Sequence, residues 1–225
     1  MDALLQAASH AASYDGFAAL FAEPLDAATI ASCRERNHIV PLGDLSDAPW
    51  AQAPMARELV ARVLRILHHA GDLDAATSLL NRDFCALFLG IQGPQRVVPA
   101  CQSAYLDDRT NAAAELEKYL AGAGLAIADR FVEPADHLAV QLAIMAWLLD
   151  APQAAAGTTN GAGIDPAAFL DDHLLSWIPA FAARCEAVDT TGCYAAFATL
   201  LHHFLLSERT RLAADRVSPI TDHSD

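Results

Sequence analysis

The sequence predicts an all-α protein, a multi-helix bundle made of two helical subdomains joined by a hinge. Hydrophobic residues make up 54% of the 225-residue chain and alanine is abundant, whereas runs of Val, Ile and Thr are scarce. Such a composition favours helices over a large sheet. Apolar residues also recur at helical spacing in most segments, and we find no convincing strand pattern.

The first subdomain is predicted to span residues 1–128. Its helices are expected over 3–21, 27–36 and 55–69, from an aspartate cap at Asp72 or Asp74 through Leu89, and over 110–120. Residues 38–54 carry three prolines and one glycine, and residues 90–103 carry two of each. We therefore expect both of these segments to be loops.

The hinge is predicted at residues 129–137, where a charged stretch leads into a long apolar run. Pro134 suits the first turn of a helix, because its ring fixes φ and an N–H there has no intrahelical partner. Glu133 and Asp136 would then lie near the positive end of the helix dipole, which favours carboxylates. The corner is either a helix cap or a working surface, and the residue types alone leave both open.

The second subdomain is predicted over residues 138–217, with a polar tail at 218–225. A glycine-rich stretch at 152–163 is expected to be a flexible connection. We then expect a helix over 166–187 that is bent at Pro179, a turn at 189–192 and a final helix over 194–214.

The charge balance limits the kind of partner. With 14 Lys and Arg against 28 Asp and Glu, the formal net charge is -14. Such a surface repels nucleic acid and anionic lipid, and it attracts a basic peptide or partner. Nucleic-acid binding is therefore not expected.

The cysteines and the apolar runs indicate a cytoplasmic protein without a membrane anchor. The five cysteines form no C-x-x-C pair and are odd in number, which favours reduced, mostly buried thiols. The N-terminus lacks a basic region typical of a signal peptide. The longest apolar runs, at 138–149 and 194–201, are too short to span a bilayer, so no stable membrane insertion is expected.

A search for catalytic chemistry predicts neither a catalytic residue nor a metal site. No H-E-x-x-H motif is present, and Glu133 and His137 could share one helix face as metal ligands only through a weak two-residue match. Residues 157–163 contain glycines but no G-K-[ST], and they follow no strand, so the pattern leaves open only a loosely bound nucleotide and is more typical of a flexible linker. We predict no cofactor beyond weak binding of a guanine nucleotide. A helical metal- or nucleotide-dependent hydrolase remains the competing interpretation.

Four motifs, in order, resemble one known family. The corner reads E-P-A-D-H at 133–137, the segment R-D-F-C-A-L-F-L lies at 82–89, P-A-C-Q-S-A-Y-L-D at 99–107, and a helix pair is expected over 174–201. Together they are similar to the TorD/DmsD/NarJ family of redox-enzyme maturation chaperones, over about residues 14–206. Within that family the chain looks most like the TorD branch, which serves trimethylamine N-oxide reductase.

The resemblance implies an all-helical cytoplasmic chaperone rather than an enzyme. Such a protein binds an apo-molybdoenzyme and its twin-arginine signal peptide, keeps the client open for insertion of the molybdenum cofactor, and delays export until loading is finished. A client of the dimethyl sulfoxide reductase or nitrate reductase type is the alternative to trimethylamine N-oxide reductase. A hinge between halves also allows exchange of halves, so both a monomer and a domain-swapped homodimer are compatible with the sequence.

A signal peptide with paired arginines and an apolar core needs carboxylates and an apolar groove from its receptor. We therefore predict a client-binding surface at the corner, lined further by two aromatic residues: Glu133, Pro134, Asp136, His137, Tyr105 and Trp177. In the competing interpretation, Pro134 and Asp136 only shape the hinge and cap a helix.

Overall fold

The computed structural model describes residues 2–46, 48–90, 96–106, 112–150 and 164–217. Within these ranges the chain forms helices and no strand ladder, which confirms the all-α prediction. The helices are α1 (Asp2–Ala22), α2 (Ala27–Arg36), α3 (Pro54–His69), α4 (Leu73–Phe84), α5 (Ala112–Ala123), α6 (Leu138–Asp150), α7 (Pro166–Phe169), α8 (Ile178–Val188) and α9 (Cys193–Val217). The connection expected at 152–163 and the tail at 218–225 lie outside the described residues.

Several helices begin where the sequence supplies a side-chain cap. The Asp26 carboxylate accepts a hydrogen bond from the Thr29 amide at 2.7 Å, and α2 starts at the next residue, Ala27. Of the two aspartates considered for α4, Asp72 is the cap, because its carboxylate accepts from the Ala75 amide at 2.9 Å. These contacts satisfy N–H groups that the first turn of a helix leaves without partners.

Two helices continue into π-helical turns. Residues Cys85–Leu89 extend α4, and Leu170–Leu175 extend α7. The prediction of one helix over 166–187 bent at Pro179 is wrong, because the chain turns at Ser176 and Trp177 and a new helix begins at Ile178. Pro179 lies in the first turn of α8, where it removes no intrahelical hydrogen bond.

The hydrophobic core is continuous across both predicted subdomains. Helix α1 packs along α6, while α9 packs against α3 and α8. Phe204 of α9 lies among aromatic rings of the N-terminal half, with ring centroids 4.7 Å from Tyr14, 5.4 Å from Phe17 and 5.0 Å from Trp50. Division of the chain into halves at 129–137 stays a prediction.

The backbone packs very closely around Gly16. Gly16 of α1 lies against the backbone at Pro41 so closely that a Cβ there would overlap the Pro41 carbonyl oxygen.

Among the described residues, no helix combines the length and the apolar character that crossing a membrane requires.

Candidate functional site

The 133–137 corner and the 96–106 loop, two separate motifs in the sequence, lie side by side. The backbone N–H of Gln102 donates to the Asp136 carbonyl at 3.1 Å, and the backbone N–H of Leu138 donates to the Ala100 carbonyl at 2.8 Å. Between these bonds, Cys101 and His137 form an isolated antiparallel bridge. The corner is therefore held by backbone hydrogen bonds to a distant loop rather than by the helix that follows it.

Helix α6 begins at Leu138, later than the sequence predicts. The His137 amide donates to the Pro134 carbonyl at 3.0 Å, so Pro134 opens a turn instead of occupying the first turn of the helix. The His137 carbonyl accepts the first intrahelical bond, from Gln141 at 3.1 Å. The placement of Pro134 in the helix is thus wrong, and His137 is the N-terminal cap.

Glu133 forms a bidentate ion pair instead of facing the helix dipole. Its two carboxylate oxygens accept from the Arg96 guanidinium at 2.6 and 2.9 Å. This hydrogen bonding raises the pKa of Arg96 above its ordinary value. Beside the pair, Pro134 is exposed and Val132 is 89% exposed, so this part of the corner faces solvent.

The side chains of Asp136 and His137 point into the protein. Asp136 is 1% exposed, and its Oδ2 accepts from the Ser103 amide at 2.8 Å, while its Oδ1 has no hydrogen-bond partner. The His137 ring accepts from the Ala139 amide through Nδ1 at 3.2 Å and packs edge-on against Phe131. Burial lowers the pKa of His137 to about 4 although the Glu133 carboxylate opposes this, so the ring is neutral at pH 7.

A buried polar cluster, which we call the Gln141 hub, continues inward from the corner. The Gln141 amide group donates to Gln102 Oε1 at 2.7 Å and accepts from the Trp177 indole at 3.1 Å. The same indole donates to the His173 carbonyl at 2.7 Å, and Gln102 donates to the Asp172 carbonyl at 3.1 Å. The hub joins α6, the 96–106 loop and the π-helical turn after α7.

Tyr105 and Trp177 are neighbours, as the sequence hypothesis requires, with ring centroids 5.3 Å apart. Trp177, however, is only 1% exposed, and Tyr105 is partly buried. The Tyr105 hydroxyl has no hydrogen-bond partner, and burial raises the pKa of this phenol well above its ordinary value. Trp177 therefore supports the site from within rather than lining its surface.

The described residues contain no group of three or more His, Cys, Asp and Glu side chains that could hold a metal ion. Glu133 and His137 do not share a helix face, since Glu133 precedes the helix and is bound to Arg96. The nearest thiol, Cys101, is no ready nucleophile. Burial and, next, the Asp136 carboxylate raise the pKa of Cys101 to about 12.

An apolar groove opens beside the corner, and sequence reasoning missed it. We call it the α1–α6 groove: its volume is about 400 Å³, and it is bounded by α1, α6 and residues 125–131. Its lining is mostly apolar and includes Ala18, Ala19, Ile127, Phe131, Ala143 and Trp147. Small side chains on both helices leave the space open, so alanines facing each other across two helices are the signal that could have revealed it.

Comparison with known proteins gives the family. Residues 51–183, more than half of the chain, match the model of the nitrate reductase delta subunit family. Chaperone protein TorD of Escherichia coli O8 is 36% identical over 135 residues, which cover 57% of this chain and 61% of that protein. The chain thus matches less than two thirds of the length of that relative.

Two further relatives match over longer stretches. Chaperone protein TorD of Vibrio cholerae serotype O1 is 31% identical over 160 residues, covering 69% of this chain and 71% of the relative. Chaperone protein TorD of a Psychrobacter species is 31% identical over 212 residues, 91% of each chain. On these matches, the chain belongs to the NarJ/TorD family that the nitrate reductase delta subunit model describes.

Proposed function

We propose that this protein is a cytoplasmic maturation chaperone for a molybdoenzyme, with trimethylamine N-oxide reductase as its client. It binds the apo-enzyme and its twin-arginine signal peptide, keeps the enzyme competent for insertion of the molybdenum cofactor, and delays export until the enzyme is loaded. Relatives named Chaperone protein TorD support this proposal. The observation that carries it is the α1–α6 groove, which lies beside the family's E-P-A-D-H motif.

The groove suits the apolar segment of a signal peptide. An amphipathic or apolar helix binds by laying side chains into a hydrophobic groove, and this groove offers alanine, isoleucine and phenylalanine walls. The charged residue of its lining is Arg130, and two exposed acidic residues, Glu23 and Asp129, directly follow the lining residues Ala22 and Ala128 in the sequence. A peptide with basic residues ahead of its apolar segment would meet both surfaces.

We assign the predicted site residues two kinds of role. Pro134, which is exposed, would contact the client directly, and Glu133, whose side chain is only 12% exposed and bound to Arg96, would hold the edge of that surface. Asp136 and His137 are buried, so they would act by fixing the backbone of the corner, and Trp177 would act in the same way through the Gln141 hub. Tyr105, partly buried against Trp177, would line the inner edge of the client surface.

The proposal includes neither a catalytic step nor a resident cofactor. Weak binding of a guanine nucleotide stays a prediction, as does the choice between a monomer and a domain-swapped homodimer. The acidic surface, with a formal net charge of -14, favours a basic peptide over nucleic acid.

A substitution in the groove tests the proposal without disturbing the core. Ala143 lies in α6, is exposed and lines the groove, so Ala143→Arg fills the groove with a charged side chain. We expect this variant to bind a twin-arginine signal peptide at least about tenfold more weakly, a loss of about 1.4 kcal/mol. The readout is isothermal titration calorimetry with the peptide.

Ala61→Arg is the matched control, because Ala61 is an exposed alanine in another helix, α3. It should bind the peptide like the wild type. Equal affinity of the Ala143→Arg variant and the wild type would contradict the groove assignment. Co-purification with precursors of trimethylamine N-oxide, dimethyl sulfoxide and nitrate reductases identifies the client, and recovery of none of them contradicts the proposed function.

A further inference from the structure

A second cleft lies between the C-terminal ends of α4 and α8, and we call it the Asp83 cleft. Its volume is about 330 Å³, and it shares no lining residue with the α1–α6 groove. Its lining carries two carboxylates and one guanidinium, and the described wall residues include Arg82, Asp83, Leu87, Val97, Val188, Asp189 and Thr190. Arg82, Asp83 and Leu87 belong to the R-D-F-C-A-L-F-L motif at 82–89, which takes no part in the corner or in the α1–α6 groove.

Asp83 carries a buried acceptor without a donor. The residue is 5% exposed, and its Oδ1 lies 3.3 Å from Nη2 of Arg82. Its Oδ2 has no hydrogen-bond partner. A buried carboxylate oxygen left in this way is costly, so rotation of the Asp83 side chain towards a donor in the cleft would be favoured.

The other carboxylate of the cleft is already used. Asp189 Oδ1 accepts from the amide and the hydroxyl of Thr191, both at 3.1 Å, and Oδ2 accepts from the Ala195 amide at 2.9 Å. Asp189 thus caps the start of α9. A single free acceptor oxygen does not make a metal site, since divalent cations bind several oxygen ligands.

The walls of the cleft select for a donor with an apolar stem. Val97 is 43% exposed and Val188 is 39% exposed, and both line the cleft above Asp83. An arginine side chain has an apolar stem and a flat, weakly hydrated guanidinium, so it can pack against two valines while donating to a buried carboxylate. The lining carries two carboxylates, Asp83 and Asp189, against one guanidinium, Arg82, so its net charge favours a cation over an anion.

The cleft is joined to the corner by a short stretch of backbone. Val97 directly follows Arg96, the ion-pair partner of Glu133, and Val98 donates its amide to the Leu87 carbonyl at 2.8 Å. A peptide that contacts the corner thus has the cleft within reach. We propose that the Asp83 cleft binds the guanidinium of one arginine of the client's signal peptide, an inference that rests on the proposed function.

A thermodynamic cycle tests this inference. The probes are a synthetic peptide with paired arginines ahead of an apolar helical segment, and the same peptide with citrulline, a neutral analogue of nearly equal shape, at both arginines. We expect the wild type to prefer arginine over citrulline by at least about tenfold in calorimetry, and the Asp83→Asn variant to lose most of that preference. Circular dichroism and urea unfolding check that the variant is folded.

A second variant leaves Asp83 intact. Val97→Arg places a guanidinium of the protein itself at the mouth of the cleft, and since Val97 is exposed the core is untouched. It should reduce the preference for arginine as Asp83→Asn does. Ala61→Arg is again the control, because Ala61 is exposed in α3 and lines neither the cleft nor the groove. It adds the same charge and should keep at least half of the wild-type preference.

The outcomes separate the two proposals. If both peptides bind and the Asp83→Asn and Val97→Arg variants keep the full preference for arginine, the Asp83 assignment is overturned while the proposed function stands. If the arginine peptide fails to bind the wild type, signal-peptide binding itself is overturned, and the cleft assignment with it. A preference lost equally in the Ala61→Arg control would attribute the effect to net charge and would also overturn the assignment.

Discussion

Replacing Gln141 by leucine isolates the contribution of the Gln141 hub to stability. Gln141 is fully buried at 0% exposure, and leucine is close to it in volume, so the substitution removes polar contacts without opening a large cavity. Its amide group makes three hydrogen bonds, to Gln102, to the Asp136 carbonyl and from Trp177. The hub joins three segments of the chain, so the change in the free energy of unfolding measures how much its hydrogen bonds contribute to stability.

The size of the expected stability loss depends on which buried polar groups keep a hydrogen-bond partner after Gln141→Leu. After the substitution, the Trp177 indole keeps its bond to the His173 carbonyl at 2.7 Å, and the Asp136 carbonyl keeps the Gln102 amide at 3.1 Å. Only Gln102 Oε1 is left poorly satisfied, with a 3.4 Å contact to His173. One buried acceptor in that state costs about 1–3 kcal/mol, so we expect a loss of about 2 kcal/mol.

Urea unfolding followed by circular dichroism measures this loss as a lower midpoint at unchanged slope. The control is the double variant Gln141→Leu with Gln102→Leu, which removes donor and acceptor together. It should be less destabilised than the sum of the single variants by about 1 kcal/mol. A loss below about 0.5 kcal/mol for Gln141→Leu, or strict additivity in the cycle, would refute the reasoning.

Two further substitutions probe the corner and the core. His137→Asn keeps a side-chain acceptor for the Ala139 amide but does not titrate. Because burial lowers the pKa of His137 from 6.5 to about 4, the unfolded chain binds the proton first, and the wild type should lose up to about 3 kcal/mol as pH falls through that window. Urea unfolding from pH ~7 to pH ~4 should show a shallower loss for the variant, and identical slopes would contradict the role of His137. Gly16→Ala should cost about 1–3 kcal/mol, because its Cβ overlaps the Pro41 carbonyl. The control Gly122→Ala, which meets nothing within 4 Å inside α5, should leave the thermal midpoint unchanged or raise it, and equal effects at the two glycines would contradict the overlap.

The positions of most helices could be predicted from the sequence because their signals are local. Helix α2 lies at Ala27–Arg36 as expected, and α3 starts one residue before the predicted 55–69 segment. Caps and apolar spacing operate within a turn or two, so a single sequence contains them. Whether the chain divides into two helical subdomains at residue 129 depends on contacts between distant segments, and a local sequence pattern does not contain that information.

The errors come from residues whose partners are far away in sequence. Pro134 satisfies the rule for a first helical turn, yet the Ala100 carbonyl receives the Leu138 amide and α6 starts four residues after the proline. Glu133 satisfies the rule for a helix dipole, yet Arg96 provides a stronger partner. Both rules describe an isolated helix, and tertiary hydrogen bonds override them here.

The same distant contacts explain why residues of the corner that the sequence predicts to be exposed are buried in the structure. Charged and polar residues next to a loop suggest exposure, but Asp136 and His137 are 1% and 4% exposed because the 96–106 loop covers them. The inward pair fixes the backbone, so Glu133, which is bound to Arg96, and the exposed Pro134 take defined positions. Under the proposed function, the buried half of the motif supports the corner and the surfaces next to it bind the client.

Under the proposed function, the groove would bind the apolar segment of the peptide and the cleft one of its arginines. Phe131 lines the α1–α6 groove and Val97 lines the Asp83 cleft, and each lies within two residues in the sequence of the Arg96–Glu133 ion pair. A peptide with an apolar segment and separate basic residues needs two unlike surfaces at a fixed spacing, and a rigid corner maintains that spacing. On this view, loosening the corner through His137 or Gln141 should weaken the binding of a long peptide more than that of its apolar half alone, since only the long peptide spans both surfaces.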